Sequence, residues 1–341
     1  MTRPLTVLID TCNHERYIEQ AVVSAIEQDL SASDFEILVV DDGSTDLTPE
    51  IVRKFGPRVR LLSKRNGGQA SAFNAGIPEA QGEVVAFLDG DDWFAPGKLT
   101  AVMNALEQHP EVAGVGHGYY EVDDETHETT VHALPHRQFL NLATPSAACE
   151  CLLALPSLHM GAFTVRRTLV QKCLPIPERL IFDADFPIAM ATVAAGALVL
   201  ELPLFYYRRH ADNLDAVDAA NATRVRRKDE MIDIAYGVLN PMLLRMGVPK
   251  ESVSALLDES WVGINRKLLR RYGGSRIKAL QTEMRCFRYQ YKDPGLAYSL
   301  FKYGVVGAAT LLFPPRRFYQ LRDWYGRRSL GRFREQFAKG R

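Results

Sequence analysis

The chain has 341 residues, of which 47% are hydrophobic and 24% charged, and its 41 basic and 41 acidic residues give a formal net charge of +0 at pH 7. This length and composition predict one large globular domain with a smaller one beside it. The neutral balance argues against a bulk nucleic-acid binder, so we expect no nucleic-acid partner.

The cysteine content and the N-terminus indicate the compartment. The five cysteines include no Cys-x-x-Cys pair, which argues against a disulfide framework or a zinc site and favours a reducing cytoplasm. The first residues run directly into a strand-like segment and lack the apolar stretch of a signal peptide. We therefore expect a cytoplasmic protein.

The first hundred residues alternate between β-branched runs and amphipathic helical patterns. Strands are predicted over 5–9, 35–40, 59–62 and 83–88, and a helical pattern follows each of the first three. This alternation predicts an α/β fold with a mainly parallel, doubly wound sheet. Ligands of such sheets bind beyond the carboxyl ends of the strands.

Polar residues follow all four predicted strands. They are Asp10-Thr11-Cys12-Asn13, Asp41-Asp42, Asn66-Gly67-Gly68 and Asp89-Gly90-Asp91-Asp92. The last group crowds three carboxylates, which repel one another unless a cation lies between them. Mg²⁺ is often held by one or two carboxylates together with substrate phosphates. Gly90 would let a phosphate approach the backbone, although a solvated acidic turn is the alternative interpretation.

These stretches resemble the motifs of glycosyltransferase family 2. Residues 10–13, 39–46, 66–76 and 87–92 match in the family's order and spacing, and the resemblance covers residues 4–110 closely and continues more loosely to 215. It implies the nucleotide-diphospho-sugar transferase (GT-A) fold, a divalent metal ion (Mn²⁺ or Mg²⁺), and inverting hexosyl transfer from a nucleotide-sugar donor. UDP is the nucleotide that we expect.

The resemblance also assigns roles to individual residues. Asp42 would accept a hydrogen bond from the base, Asp89 would meet the ribose or the water shell of the metal, and Asp91 would bind the metal. In the Arg208-Arg209-His210 element, Arg208 would pair with phosphate and His210 would reach the metal or diphosphate. The full predicted nucleotide-sugar site is Asp10, Thr11, Asn13, Asp42, Asn66, Gly67, Ala70, Asp89, Gly90 and Arg208.

Three positions depart from the family pattern. Asp10 stands where the family usually has proline, and Cys12 stands where an aromatic side chain often stacks on the base. Ala184 replaces the usual glutamate of a Glu-Asp pair, which leaves Asp185 aligned with the catalytic base. The alternative is that Asp183 or Asp185 only caps the helix predicted over 186–195.

The remaining segments are predicted from periodicity and composition. Strands are expected over 112–120 and 198–207, and the family resemblance adds an acceptor-side strand within 159–167. Residues 121–157 are predicted to form a loop-rich insert. We expect His117, His127, His132 and His136 to be scattered surface histidines, because their spacing fits no standard metal site. Residues 220–292 have the pattern of a small helical domain. The predicted domains are therefore 1–215 (a nucleotide-sugar half, 1–110, and an acceptor half, 111–215), 216–292 and 293–341.

The C-terminal region has features of a membrane-associated segment. Residues 296–313 carry one charge, Lys302, and the basic, aromatic-rich stretch from 316 to 341 has a net charge of +7. We favour peripheral membrane contact through 296–325 over a buried helix or a true span. The expected location is the inner face of the plasma membrane.

The leading hypothesis is a glycosyltransferase that adds a single sugar to a glycan or lipid-linked acceptor in surface polysaccharide biosynthesis. Residues 320–324 lack the complete Gln-x-x-Arg-Trp element of the family's processive members. One alternative is a non-catalytic nucleotide-sugar-binding scaffold. Another is a nucleotidyltransferase on a related fold, although 10–16 lacks the glycine- and basic-rich loop that would hold a triphosphate.

Overall fold

The computed structural model describes residues 4–154, 159–181, 184–211, 213, 222–290 and 296–322. The chain divides into two compact units, Met1–Val253 and Ser254–Arg341, and the division falls inside a helix. The predicted domain limits at 215 and 292 remain predictions.

The first half of the first unit is the predicted parallel sheet. Its strands follow the spatial order β3-β2-β1-β4. The elements are β1 (Leu5–Thr11), α1 (Ile18–Ile26), β2 (Phe35–Asp41), α2 (Thr48–Arg53), β3 (Val59–Ser63), α3 (Gln69–Glu79) and β4 (Val84–Asp89). β1 and β2 are buried along nearly their whole length, as expected for parallel strands covered by helices on both faces.

The second half of this unit is mixed rather than parallel. Strand β9 runs antiparallel to both β4 and β6, while β10 is parallel to β6 and antiparallel to β5. Its elements are β5 (Trp93–Phe94), α4 (Lys98–Gln108), β6 (Gly114–Asp123), β7 (Thr129–His132), β8 (Gln138–Leu140), α5 (Pro145–Ala154), β9 (Thr164–Arg166), α6 (Arg167–Lys172), α7 (Asp185–Ala194) and β10 (Ala197–Arg209).

Two predictions for this half were wrong in part. The insert predicted to be loop-rich contains β7, β8 and α5. The β7 side chains are largely exposed, so the sequence lacks the alternation of apolar residues that predicts a strand. The strand forms because it pairs with β6. Of the predicted surface histidines, His117 is fully buried against Phe205.

The two faces of the sheet pack differently. Alternate residues of β1, such as Val7 and Ile9, join a core cluster with α1 and α4. On the opposite face, α3 approaches the sheet so closely that a Cβ on Gly76 would lie 2.6 Å from Val40 and 3.1 Å from Leu8. This close packing sets the start of α3 beside the carboxyl ends of the strands.

The C-terminal part is helical, as predicted. It contains α8 (Ala222–Arg245), α9 (Lys250–Tyr272), α10 (Arg276–Gln290) and α11 (Leu296–Leu312). In the second unit, Leu269, Ala279, Phe318 and Tyr319 form a small core. None of the helices in the described ranges has the length and apolar character needed to cross a membrane.

Candidate active site

The carboxyl ends of β1, β2 and β4 are tied together by backbone hydrogen bonds. Asp10 pairs with Asp89 across β1 and β4, and Gly90 N–H donates to the Asp10 carbonyl at 2.9 Å. On the other side, Asp42 N–H donates to the Thr11 carbonyl at 2.9 Å. The three predicted motifs therefore meet at one edge of the sheet.

Five carboxylates form one electrostatic cluster at this edge. Burial, and then the charges of its neighbours Asp10, Asp92, Asp91 and Asp185, raises the pKa of Asp89 well above its ordinary value. Burial also raises the pKa values of Asp10 and Asp92. The buried atoms Asp10 Oδ1 and Asp92 Oδ2 have no hydrogen-bond partner within the described residues. An unfilled buried acceptor among like charges is a place where a cation would be stabilised.

The pKa of Asp91 is lowered, in contrast to the raised pKa values of Asp10, Asp89 and Asp92. Burial acts to raise its pKa, but a hydrogen bond from His210 and the charges of His14 and His210 outweigh burial and lower that pKa. His210 Nε2 lies 3.1 Å from Asp91 Oδ2, and His14 Nε2 lies 3.8 Å from the same oxygen. The Asn213 amide nitrogen lies 3.4 Å from Asp91 Oδ2. The Asn213 Oδ1 accepts a hydrogen bond from the backbone N–H of His210 at 2.5 Å.

Arg208 fixes the backbone beside Asp91. Its Nε donates to the Asp91 carbonyl at 2.9 Å, and its two terminal nitrogens donate to Asp124 and Gln20. Its guanidinium lies between the rings of Tyr17 and Trp93, at 4.7 and 4.5 Å from their centroids. These contacts give Arg208 a structural role that the sequence did not indicate. Its predicted contact with phosphate remains a prediction.

Asp42 organises the loop between β3 and α3. Its carboxylate accepts N–H groups from Gly67 and Gly68, at 3.1 and 2.7 Å, and the Lys64 ammonium at 2.6 Å. Asn66 donates to the Asp42 carbonyl at 2.9 Å and lies 3.2 Å from the Cys12 sulfur. Asp42, which was predicted to accept a hydrogen bond from the base, and the predicted Asn66-Gly67 loop are therefore bonded to each other. Both oxygens of the Asp42 carboxylate already accept hydrogen bonds from the loop amides.

The β1 and β2 loops are joined through Asn13. Its side chain accepts the Thr45 N–H at 2.8 Å, and its own N–H donates to the Ser44 hydroxyl at 2.8 Å. Asn13 has a φ of 57°, in the left-handed region that Asn tolerates better than most residues. Thr11 lies against Gly90 on the opposite side of the turn.

The structure gives a packing reason for glycine at position 90. A Cβ there would lie 2.4 Å from the Thr11 hydroxyl oxygen, 2.7 Å from Thr11 Cβ and 2.8 Å from His14 Nδ1. Packing against Thr11 and His14 therefore requires glycine here, and the predicted approach of a phosphate to the Gly90 backbone remains a prediction. The predicted binding residue Ala70 is fully buried at the start of α3, where its N–H lies 3.4 Å from the Leu180 carbonyl.

Asp185 is the first residue of α7, and the N-cap is Ala184, without a side-chain cap hydrogen bond. The interpretation of Asp185 as an N-cap was wrong, while Asp183 lies outside the described residues. Gln69 connects this helix to the cluster, because its Oε1 accepts the Ala184 N–H at 3.0 Å and its Nε2 lies 3.5 Å from Asp89 Oδ1.

Sequence reasoning missed the roles of Gln69, His14 and Asn213. Gln69 lies within the 66–76 motif at the start of α3, and His14 directly follows the 10–13 motif, so their position in the sequence was available as a signal. Asn213 lies three residues after His210, a spacing at which an amide side chain can return to the backbone of the preceding turn.

Known proteins share the sequence pattern of this chain. The chain matches the family model described as Glycosyl transferase family 2 over residues 6–174. A glycosyltransferase of Nostoc sp. (strain PCC 7120), alr2836, is 32% identical over 251 residues, which cover 71% of this chain and 76% of the relative. The chain belongs to glycosyltransferase family 2. The chain is also 26% identical to the glycosyltransferase EpsJ of Bacillus subtilis over 223 residues, which cover 62% of the chain and 63% of EpsJ.

A solved structure shares the fold of this glycosyltransferase. The S. aureus TarS 1–349 structure in complex with UDP-GlcNAc superposes with a TM-score of 0.55 at 18% identity, covering 90% of this chain and 91% of that one. TarS is named a poly(ribitol-phosphate) beta-N-acetylglucosaminyltransferase. The mixed sheet with its C-terminal helices is therefore the predicted GT-A type of fold.

Proposed function

We propose that this enzyme transfers a single sugar, with inversion, from a UDP-sugar to a glycan or lipid-linked acceptor. We place the reaction in surface polysaccharide biosynthesis at the inner face of the plasma membrane. The observation that carries the proposal is the joint presence of Asp185 and Asp91 in one cluster, where burial raises the pKa of Asp10 and the charges of Asp91 and Asp185 raise it further. UDP as the donor nucleotide is supported by the UDP-GlcNAc bound in the TarS structure.

The residues at the cluster fit a divalent ion that is shared with the donor. Within the described ranges, no three or more His, Cys, Asp or Glu side chains are arranged to hold a metal by themselves. A diphosphate-bound Mg²⁺ or Mn²⁺ needs only one or two protein ligands, since phosphate oxygens and water complete its shell. Asp91 and His210, 3.1 Å apart, would supply these ligands. The ion would neutralise charge that builds on the leaving diphosphate.

Asp185 would act as the general base. Inversion requires the acceptor hydroxyl to attack the anomeric carbon from the face opposite the diphosphate, and a positioned carboxylate accepts the hydroxyl proton. Such a base contributes about 10²–10⁴-fold to the rate. Gln69 holds the backbone N–H of the preceding residue, Ala184, so this carboxylate enters the site from a fixed helix start.

The nucleotide would be bound by the loops on the other side of the cluster. Asp42 with Asn66 and Gly67 would face the base, while Asn13 and Thr11 would line the ribose side and Asp89 would face the ribose or the water shell of the ion. Asp10, Gly90, Ala70 and Arg208 complete the proposed site. Because loop amides and Lys64 already bind Asp42, we expect it to fix the loop as well as to meet the base.

The test combines donor binding with turnover. We would measure the Kd of UDP and of UDP-sugars by calorimetry with Mn²⁺ or Mg²⁺, and sugar transfer to a panel of glycan and lipid-linked acceptors, for wild type, Asp91→Asn and Asp185→Asn. Asp185→Asn should retain UDP binding and lose about 10²–10⁴-fold in transfer. Asp91→Asn should lose the metal-dependent part of donor binding. The matched control is Asp233→Asn, at an exposed aspartate of α8.

Three outcomes would count against the proposal. Full transfer by Asp185→Asn would remove Asp185 as the base. Metal-independent UDP binding that Asp91→Asn leaves unchanged would remove the ion from the site. Tight UDP binding by the wild type without transfer to any acceptor would favour a nucleotide-sugar-binding scaffold.

A further inference from the structure

From Gly304 to its end, the part whose side chains the structure describes, helix α11 has an exposed face made only of apolar residues. Its exposed positions from 304 onward are Gly304, Val305, Ala308, Leu311 and Leu312, a spacing that places them on one side of a helix. Leu312 is 73% exposed and Val305 is 53% exposed. A helix on the surface of a water-soluble unit normally presents polar residues at such positions, so an apolar face of this kind marks an interaction surface.

The opposite face of the same helix is already occupied. Val306 and Ala309 pack against the small core of the second unit, and the buried Thr310 hydroxyl donates to the Gly307 carbonyl at 2.7 Å. The orientation of α11 within its unit is therefore fixed, and the apolar face is the one that this core leaves outside.

Further apolar and basic residues lie at the carboxyl end of α11. Arg276, at the start of α10, donates to the Leu311 carbonyl at 3.0 Å, and its neighbour Ile277 is 64% exposed. Phe313 follows the helix and is 44% exposed. Arg316 and Arg317 come next and are both exposed. Apolar side chains next to arginines match a lipid interface, where acyl chains lie beneath charged headgroups.

The charge of the second unit supports the same partner. Residues 254–341 contain 19 basic and 6 acidic residues, a net charge of +13, although the whole chain has a net charge of +0. Two of the acidic residues are already engaged, because Asp258 pairs with Arg285 and Glu283 pairs with Arg266 and Arg322. An anionic bilayer attracts such a surface with about 1 kcal/mol for each basic residue close to it, which corresponds to about fivefold in affinity.

We propose that the apolar face of α11, with Arg316 and Arg317, docks on a bilayer surface that contains anionic lipid. A soluble anionic polymer would use the arginines but has no use for exposed leucines. A second copy of the chain would bring two strongly positive units together. The proposal concerns the second unit alone and does not depend on the sugar-transfer reaction.

The experiment is co-sedimentation of the full chain with vesicles. We would compare phosphatidylcholine vesicles with vesicles in which about a third of the lipid is phosphatidylglycerol. Wild type should pellet with the anionic vesicles only. Arg316→Gln/Arg317→Gln should bind about thirtyfold more weakly, and Leu311→Ser/Leu312→Ser should bind at least about tenfold more weakly.

The controls match each substitution with the same change at exposed positions of the first unit. Leu202→Ser/Val131→Ser controls for exposed apolar side chains, and Lys54→Gln/Lys172→Gln controls for exposed charge. These variants should bind vesicles as wild type does. Far-ultraviolet circular dichroism and thermal unfolding, measured on every variant, report that the chain and its helical second unit are folded.

Several results would overturn the proposal. They are a failure of wild type to bind anionic vesicles, equal binding to neutral vesicles, and unchanged binding by the leucine variant. Wild-type binding to soluble polyphosphate that competes with vesicles, together with an unaffected leucine variant, would assign the surface to an anionic polymer. A wild-type dimer in light scattering that the leucine variant abolishes would assign it to self-association.

Discussion

Gln69 is the side chain that spans the carboxylate cluster and the start of α7. Its amide oxygen holds the Ala184 N–H at 3.0 Å, and its amide nitrogen lies 3.5 Å from Asp89. Ala184 directly precedes Asp185, so a shift of this backbone moves the proposed base. A displacement of about 1 Å can cost about 100-fold in rate without removing any reacting group.

We therefore expect Gln69→Ala to lower kcat by about 100-fold while the Kd of UDP changes little. Gln69→Asn, whose amide is one methylene shorter, should give a similar loss of kcat. Gln171→Ala, at an exposed glutamine of α6, is the matched control. Steady-state transfer kinetics and UDP calorimetry measure the two quantities. If the Kd of UDP rises in proportion to the loss of kcat, Gln69 supports the donor pocket and not the base.

The motif residues illustrate what a sequence can and cannot specify at this scale. The meeting of Asp10, Asp89 and Asp91 at one edge followed from parallel strands. The partners of Arg208 did not, because Asp124 and Gln20 lie 84 and 188 residues away in the chain. The Gly90 contact with Thr11 was likewise invisible, since it depends on how two strand ends pack side by side.

At the scale of elements, helix α4 begins with a fully buried lysine. Lys98 Nζ donates to the Gly161 carbonyl at 2.5 Å and lies 3.6 Å from the centroid of the Phe94 ring. Burial lowers the pKa of Lys98 well below its ordinary value. Between that lowered value and about 10.5 the unfolded chain binds a proton that the folded chain does not. The free energy of unfolding should therefore rise with pH in this window and fall as the pH drops through it.

Substitution of Lys98 by methionine should remove this dependence. Relative to Lys98→Met, the wild-type unfolding free energy should increase by up to about 1.4 kcal/mol per pH unit across the window. Urea unfolding from neutral to alkaline pH measures this difference. Lys172→Met, at an exposed lysine of α6, should run parallel to wild type. If the curves of wild type and Lys98→Met are parallel as well, the ammonium is not desolvated as its surroundings indicate.

The elements themselves were predictable to different degrees. Strands β1 to β4 carry apolar runs that both faces of a parallel sheet require, so their order and their ligand-binding edge followed from the pattern. β7 and β8 are short and have exposed positions, and pairing with β6 and β10 creates them. The antiparallel direction of β9 depends on where the chain returns after α5, which no local periodicity encodes.

For the whole molecule, the cluster of five carboxylates lowers the stability of the ligand-free fold while it provides charges for binding a cation. Five carboxylates at one edge repel one another, and burial together with the charges of Asp10, Asp92, Asp91 and Asp185 disfavours ionisation of Asp89. A folded protein keeps such an arrangement at a cost in stability that a bound cation can offset. Removal of one of these charges should therefore raise the free energy of unfolding of the ligand-free protein and weaken its binding of metal and nucleotide.

Asp89→Asn tests this opposition, because asparagine has nearly the same shape and no charge. Without metal or nucleotide, Asp89→Asn should unfold with a higher free energy than wild type, because it removes a buried carboxyl group whose ionisation the burial and the neighbouring charges disfavour. With Mn²⁺ and UDP at about 100 times their Kd, wild type should gain about 2.7 kcal/mol, and Asp89→Asn should gain clearly less. Urea denaturation with and without Mn²⁺ and UDP gives all four values, and Asp233→Asn should follow wild type in both conditions. A less stable Asp89→Asn in the absence of ligands would mean that the Asp89 carboxyl stabilises the fold through its neighbours, and that repulsion within the cluster is already relieved by protonation.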